Sequence, residues 1–72
     1  MSSQLEIQVT ARIIRGKRVS NSIVASLFQM GALDAYISEG MVVVFASVDN
    51  ANTIFEWLRR SNFLEDVRRE DL

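Results

Sequence analysis

The sequence contains no cysteine, no histidine and no proline among its 72 residues. Without cysteine it can form neither disulfides nor thiolate metal sites, and the loss of both Cys and His removes the most common nucleophiles and bases. The longest wholly apolar run extends only from Met41 to Ala46, whereas a membrane-spanning helix needs about 20 residues. We therefore expect no metal, no cofactor and no membrane-spanning segment.

Charge is nearly balanced, with 8 basic and 9 acidic side chains and a net charge of -1. No field of the whole molecule would therefore attract nucleic acid. With 49% apolar and 24% charged residues, the composition is typical of a folded domain, and a chain of this length supports one core. We expect a single small α+β domain over residues 1–72. The start of the chain lacks the features of a secretory signal, so the expected compartment is the cytoplasm.

The first half of the sequence predicts a strand followed by a helix. Apolar and polar residues alternate from Leu5 to Ile13, which is the period of a half-buried strand. Ser20 or Asn21 can then cap a helix, and Gly31 is well placed to end it. The apolar stripe of this helix consists of Ile23, Leu27 and Met30, widened by Val24 and Phe28.

The second half predicts a hairpin and another helix. A short strand, Asp34 to Ser38, and an apolar strand, Met41 to Val48, flank Glu39-Gly40, a pair suited to a tight hairpin turn. Asp49 or Asn50 can cap the second helix, which should end near Ser61-Asn62. Its apolar face consists of Ala51, Ile54, Phe55 and Leu58, with Trp57 at the edge.

The segment from Phe63 to Leu72 fits either a strand or a helix. If it is a strand, the element order is that of a ferredoxin-like βαββαβ sandwich, with two helices on one face of a four-stranded antiparallel sheet. In that topology the first and third strands are central, which suits their length and apolar character. The alternative is βαββα with a helical C-terminal tail.

The hairpin register predicts an exposed apolar patch. A two-residue turn pairs Tyr36 with Val43 and Ser38 with Met41, so that Tyr36, Met41, Val43 and Phe45 share the face of the sheet without helices. Monomers seldom leave such a face uncovered, and we expect these residues to bind a protein partner or a second copy. A register error of one residue would instead place them in the core.

Two other features are candidate sites. Arg12, Arg15, Lys17 and Arg18 lie close together at the end of the first strand and in the following loop, where they form either an anion or nucleic-acid site or a solvated loop. An RNA-binding sheet would stack bases on aromatic residues, and here only Tyr36 and Phe45 qualify. Trp57 either anchors a partner or half-covers the core.

The stretch from Ser20 to Arg60 resembles the amino-acid-sensing ACT domains. The resemblance consists of a helix that ends at Gly31, the strands 35–38 and 42–45, and a helix that opens after Asp49. It implies the same fold and, as an alternative function, ACT-like ligand sensing. The sensing loop of that family carries Asp and a Pro-Gly pair, whereas this chain has Arg15 to Val19 there. The cysteine pair of metal-carrying relatives of the fold is also missing.

These features predict a non-catalytic protein-interaction module and not an enzyme, because no spacing of carboxylates or hydroxyls implies a catalytic pair. We expect a small accessory, regulatory or inhibitory protein that forms a homodimer or joins a larger complex through its sheet face or an edge strand. A phage- or plasmid-encoded modulator of a host system is one form of this expectation. Nucleic-acid or small-anion binding through residues 12–18 is the alternative.

Overall fold

The computed structural model describes residues 6–71, which form an antiparallel four-stranded sheet and two helices. The elements are β1 (Glu6–Ile13), α1 (Ser22–Gln29), β2 (Asp34–Ser38), β3 (Met41–Ser47), α2 (Val48–Arg59) and β4 (Leu64–Asp71). The strand order β2-β3-β1-β4 confirms the predicted ferredoxin-like βαββαβ fold, with β1 and β3 in the centre. Residues 64–71 form a strand, so the alternative with a helical tail is wrong. Leu5 and Leu72, which belong to the first and last predicted segments, lie outside the described residues.

The β2–β3 hairpin has the predicted register. Glu39 and Gly40 both have positive φ, at 51° and 77°, which is the backbone of a type I′ turn. Tyr36 pairs with Val43 and Ser38 with Met41. Because the turn holds this register, alternate residues of β3 are fixed on opposite faces of the sheet.

One apolar core lies between the sheet and the two helices. The helices contribute Ile23 and Leu27 from α1 and Ala51, Ile54 and Leu58 from α2; the strands contribute Ile7, Val9, Ala11, Ala35, Val42, Val44, Ala46 and Leu64. No polar side chain is buried among residues 6–71. No helix in this range is long and apolar enough to cross a bilayer.

The helix ends differ partly from the prediction. Helix α1 begins at Ser22 with Asn21 as its N-cap residue, and the Ser20 hydroxyl oxygen accepts a hydrogen bond from the Ser22 N–H at 3.2 Å. Helix α2 begins earlier than predicted, since its N-cap residue is Ser47 and Asp49 lies in its first turn. A carboxylate there still stabilises the helix through the helix dipole. The predicted last strand residue, Val48, is therefore helical, and α2 ends at Arg59, before Ser61.

Strand β4 contains a β-bulge. Thr10 pairs with Arg68 and Arg12 with Glu65, so β4 has one more residue than β1 between these two pairs. Asp66 takes up the extra length with φ 54°, the left-handed conformation that Asp tolerates better than most residues. The bulge changes the alternation along β4, which keeps both Leu64 and Val67 in contact with the core.

Candidate functional site

The predicted apolar patch, Tyr36, Met41, Val43 and Phe45, lies on the sheet face that the helices leave open. Residues 42, 44 and 46 of β3 are fully buried under the helices, while Met41, Val43 and Phe45 point the other way and are half-buried. Tyr36 is 43% exposed, and its ring centroid lies 6.5 Å from that of Phe45. The four side chains form a continuous surface over β2 and β3.

The other half of the open face, over β1 and β4, is polar. The register places Gln8 beside Phe45, Thr10 beside Val43 and Arg12 beside Met41. On the far side of β1, the paired residues of β4 are Glu65, Arg68 and Glu70. The open face is therefore divided along the line between β3 and β1. Because β1 has no aromatic side chain on this face, the open face lacks the two-strand stacking platform of RNA-binding sheets.

Three large apolar side chains are exposed among residues 6–71, and all of them belong to the α1–β2 side of the molecule. They are Phe28 at 45%, Leu33 at 53% and Tyr36 at 43% exposure. The prediction that Val24 and Phe28 widen the stripe of α1 is confirmed for Val24, which packs against the core, and wrong for Phe28, because α1 turns residues 23 and 27 toward the sheet. Leu33 directly precedes β2 and is absent from the predicted patch. No periodic pattern marks a connection of this kind, so the sequence carries no signal for it.

The two edge strands differ in character. Strand β4 is bulged and carries six charged side chains, Glu65, Asp66, Arg68, Arg69, Glu70 and Asp71, and both features oppose pairing with another strand. Strand β2 is short and carries one charge, Asp34. The Asp34 carboxylate accepts a hydrogen bond from the Ala35 N–H at 2.9 Å. Strand β2, beside the apolar patch, is therefore the less protected edge.

The basic cluster is smaller than predicted. Arg15, Lys17 and Arg18 are exposed in the loop between β1 and α1, and no acidic residue lies between Glu6 and Asp34 in the sequence. Arg12 does not belong to this group, because it forms ion pairs with Glu65 and Asp66 at 3.0 Å each. Its charge is balanced at the β4 bulge, so three cations remain in the loop.

The ion pairs of Arg12 lie on the surface, and we expect them to contribute little to stability. Each partner is about half exposed, and exposed pairs are worth roughly 0–1 kcal/mol. Arg12→Gln should lower the free energy of unfolding in urea by about 1 kcal/mol or less, and 0.5 M salt should abolish the difference from wild type. A loss of several kcal/mol would mean that Arg12 holds the bulge itself.

Trp57 lies in the helix layer, away from the apolar patch. It lines a groove of about 290 Å³ between α2 and the start of α1, together with Arg18, Val19, Ser20, Ser22, Ile23, Ser26 and Phe63. The structure thus brings Trp57 together with one residue of the basic loop and not with Tyr36 or Phe45. Residues far apart in sequence form this groove, and no sequence pattern joins them.

A second hollow lies on the other side of Trp57. It is lined by Asn52, Thr53, Glu56, Trp57 and Arg60, which all belong to α2 or its C-cap. One helix cannot enclose a ligand, so this hollow is a surface depression. Beside it, Arg59 pairs with Glu56 at 3.4 Å, as expected for a solvated helix face, and Arg69 donates a hydrogen bond to the Asn52 side-chain oxygen.

Within residues 6–71, no three side chains of the His, Cys, Asp and Glu types are grouped so that they could hold a metal ion.

Comparison with known proteins adds no assignment. The resemblance to ACT domains receives no support from the comparisons. No family model, no curated protein and no solved structure matches this chain.

Proposed function

We propose that this protein is a non-catalytic protein-interaction module that acts through the apolar half of its open sheet face. The observation that carries the proposal is the apolar patch of Tyr36, Met41, Val43 and Phe45, which continues to the less protected edge strand β2. In this role it would be a small accessory, regulatory or inhibitory protein. A more specific version of this proposal is that the protein is a phage- or plasmid-encoded modulator of a host system.

The division of the open face supports binding in one orientation. Apolar surface supplies most of the free energy of association, and charged residues at the border of an interface select the partner and its register. Here the patch borders Gln8, Thr10 and Arg12 on one side and the β2 edge on the other. A partner would therefore cover β2 and β3 and contact the polar half only at its margin.

A second copy of the chain is the partner that we propose to test first. When two β2 strands pair antiparallel about Tyr36, Asp34 of one copy lies opposite Ser38 of the other, so no like charges meet. The two apolar patches then become continuous across the junction, with the exposed Leu33 of each copy beside it. The local hydrogen bond between Asp34 and Ala35 would have to open, which limits the affinity and suits a reversible dimer.

Light scattering over a range of protein concentrations tests this proposal. Wild type should form a dimer that persists at high salt, because apolar association is not screened. In Phe45→Asp, each copy loses a side chain worth roughly 1.5–3 kcal/mol on burial, so the dissociation constant should rise at least about a hundredfold. Far-UV circular dichroism should show that the variant stays folded.

Gln8→Asp is the matched control. Gln8 is the cross-strand neighbour of Phe45 on the same face, so this variant adds the same charge in the same row without removing apolar surface. It should associate like wild type, within about threefold. A wild-type protein that stays monomeric at millimolar concentration, or a dimer that survives Phe45→Asp, would contradict the proposed interface.

A further inference from the structure

The groove between the helices is lined by aromatic, aliphatic, hydroxyl and cationic side chains. The aromatic residues are Trp57 and Phe63, from the C-terminal half of α2 and the connection to β4. The loop before α1 and α1 itself contribute the rest of the lining, which consists of Arg18, Val19, Ser20, Ser22, Ile23 and Ser26. The groove is built from three parts of the chain, in contrast to the depression on α2.

The charge of Arg18 is not balanced by its surroundings. The ion pairs within residues 6–71 involve Arg12 and Arg59 only, and Arg15 and Lys17 add positive charge beside Arg18. The Ser20 oxygen already accepts a hydrogen bond from the Ser22 N–H, so its own proton can be donated to a ligand. The lining of the groove therefore offers a guanidinium and at least one hydroxyl to a negatively charged group.

We propose that the groove binds a small carboxylate that carries an aromatic or other planar apolar group. A guanidinium matches a carboxylate with two parallel hydrogen bonds, while the rings of Trp57 and Phe63 would stack on the planar group. An apolar cavity of about 150 Å³ holds a benzene ring, so a groove of about 290 Å³ has room for a ring with a charged substituent. One guanidinium balances the single charge of a carboxylate.

This site is independent of the apolar patch. Trp57 belongs to the helix layer, whereas Phe45 lies on the open face of the sheet. The dimer-breaking variant Phe45→Asp should therefore bind the carboxylate as tightly as wild type does, within about twofold. Failure of the proposed interface and failure of this site are thus distinguishable.

Fluorescence of Trp57 reports on ligands bound beside it, because it is the sole tryptophan of the chain. Phenylacetate should change its emission with a saturable titration. Benzyl alcohol has the ring without the charge, and acetate has the charge without the ring. Each should bind at least about tenfold more weakly than phenylacetate, since a hydrogen bond to a charged group and a buried ring each contribute more than 1.4 kcal/mol, the equivalent of tenfold.

Two pairs of variants distinguish binding in this groove from a general attraction of anions to the basic loop. Arg18→Gln should weaken phenylacetate binding at least about tenfold, whereas Arg15→Gln, in the same loop but outside the groove, should change it less than threefold. Ser26→Leu fills the groove and should abolish binding. Ala25→Leu, on the neighbouring exposed position of α1, should leave binding unchanged.

Three results would overturn the proposal. The first is equal affinity for phenylacetate and benzyl alcohol, and the second is equal weakening by Arg15→Gln and Arg18→Gln. The third is a Trp57 emission that phenylacetate leaves unchanged, together with binding of a short single-stranded RNA that depends alike on Arg15, Lys17 and Arg18. That outcome would identify the loop as a salt-sensitive nucleic-acid contact instead of a part of the groove.

Discussion

Val44→Asp should unfold the protein, while Val43→Asp, one residue earlier on the same strand, should leave it folded. Val44 is 0% exposed and lies in a core that contains no polar side chain among the described residues. A carboxylate there has no partner, and such a burial costs several kcal/mol. A domain of this size is seldom more stable than about 3–5 kcal/mol, so the cost matches or exceeds its whole stability.

The matched variant Val43→Asp places the same charge on the open face, where water can solvate it. The variant replaces Val, which favours strands, by Asp, which does not, and the whole scale of strand propensities covers about 1 kcal/mol. It also removes part of the apolar patch. We expect a decrease of about 1 kcal/mol in the free energy of unfolding of the monomer, measured by urea titration with circular dichroism at concentrations too low for the proposed dimer to form. Equal destabilisation of the two variants at such concentrations would mean that both faces of β3 are buried within the monomer.

The alternation along β3 could be predicted from the sequence because a short turn links it to β2. A two-residue turn leaves no freedom in the register, so Glu39-Gly40 settles which side chains share a face. The same local argument located the break at Gly31 and the strand character of β1. Predictions that depended on one turn or one alternation were therefore close to the structure, whereas the predicted N-cap of α2, Asp49 or Asn50, lay two or three residues beyond the observed Ser47.

The predictions about the basic cluster and the surroundings of Trp57 depended on contacts between distant parts of the chain. Arg12 is close to the basic loop in sequence, whereas its ion-pair partners, Glu65 and Asp66, lie at the β4 bulge. No pattern in β4 shows where a bulge will occur, because the extra residue only has to fit the neighbouring strand. The groove around Trp57 and Arg18 likewise exists only after the two helices pack on the sheet.

The contact between the end of α1 and the first turn of α2 offers a further prediction, centred on Gly31. The N–H of Ala32 donates to the carbonyl of Leu27, and the N–H of Gly31 donates to that of Phe28, which is the Schellman arrangement at a helix C-terminus. Gly31 adopts φ 98° within it. Its carbonyl accepts a hydrogen bond from the Asn50 side chain at 3.3 Å, so this residue joins the end of α1 to the first turn of α2.

Gly31→Ala should lower the free energy of unfolding by about 2–3 kcal/mol. The left-handed backbone costs a residue with a Cβ roughly 1–2 kcal/mol, and the new Cβ would overlap the Asn50 side-chain nitrogen. Asn50 must therefore move, and the loss of its hydrogen bond adds about 1 kcal/mol. Urea unfolding of the purified variant measures the sum.

Gly40→Ala and a double mutant separate the two contributions. Gly40 has φ 77°, and no atom lies within 4 Å of the position that a Cβ would occupy there. Its substitution therefore reports backbone strain alone, about 1–2 kcal/mol. In an Asn50→Ala background the steric conflict at position 31 disappears, and Gly31→Ala should then cost no more than Gly40→Ala. If the cost of Gly31→Ala is the same with and without the Asn50 side chain, the contact does not couple the helices, and Gly31 serves only to end α1.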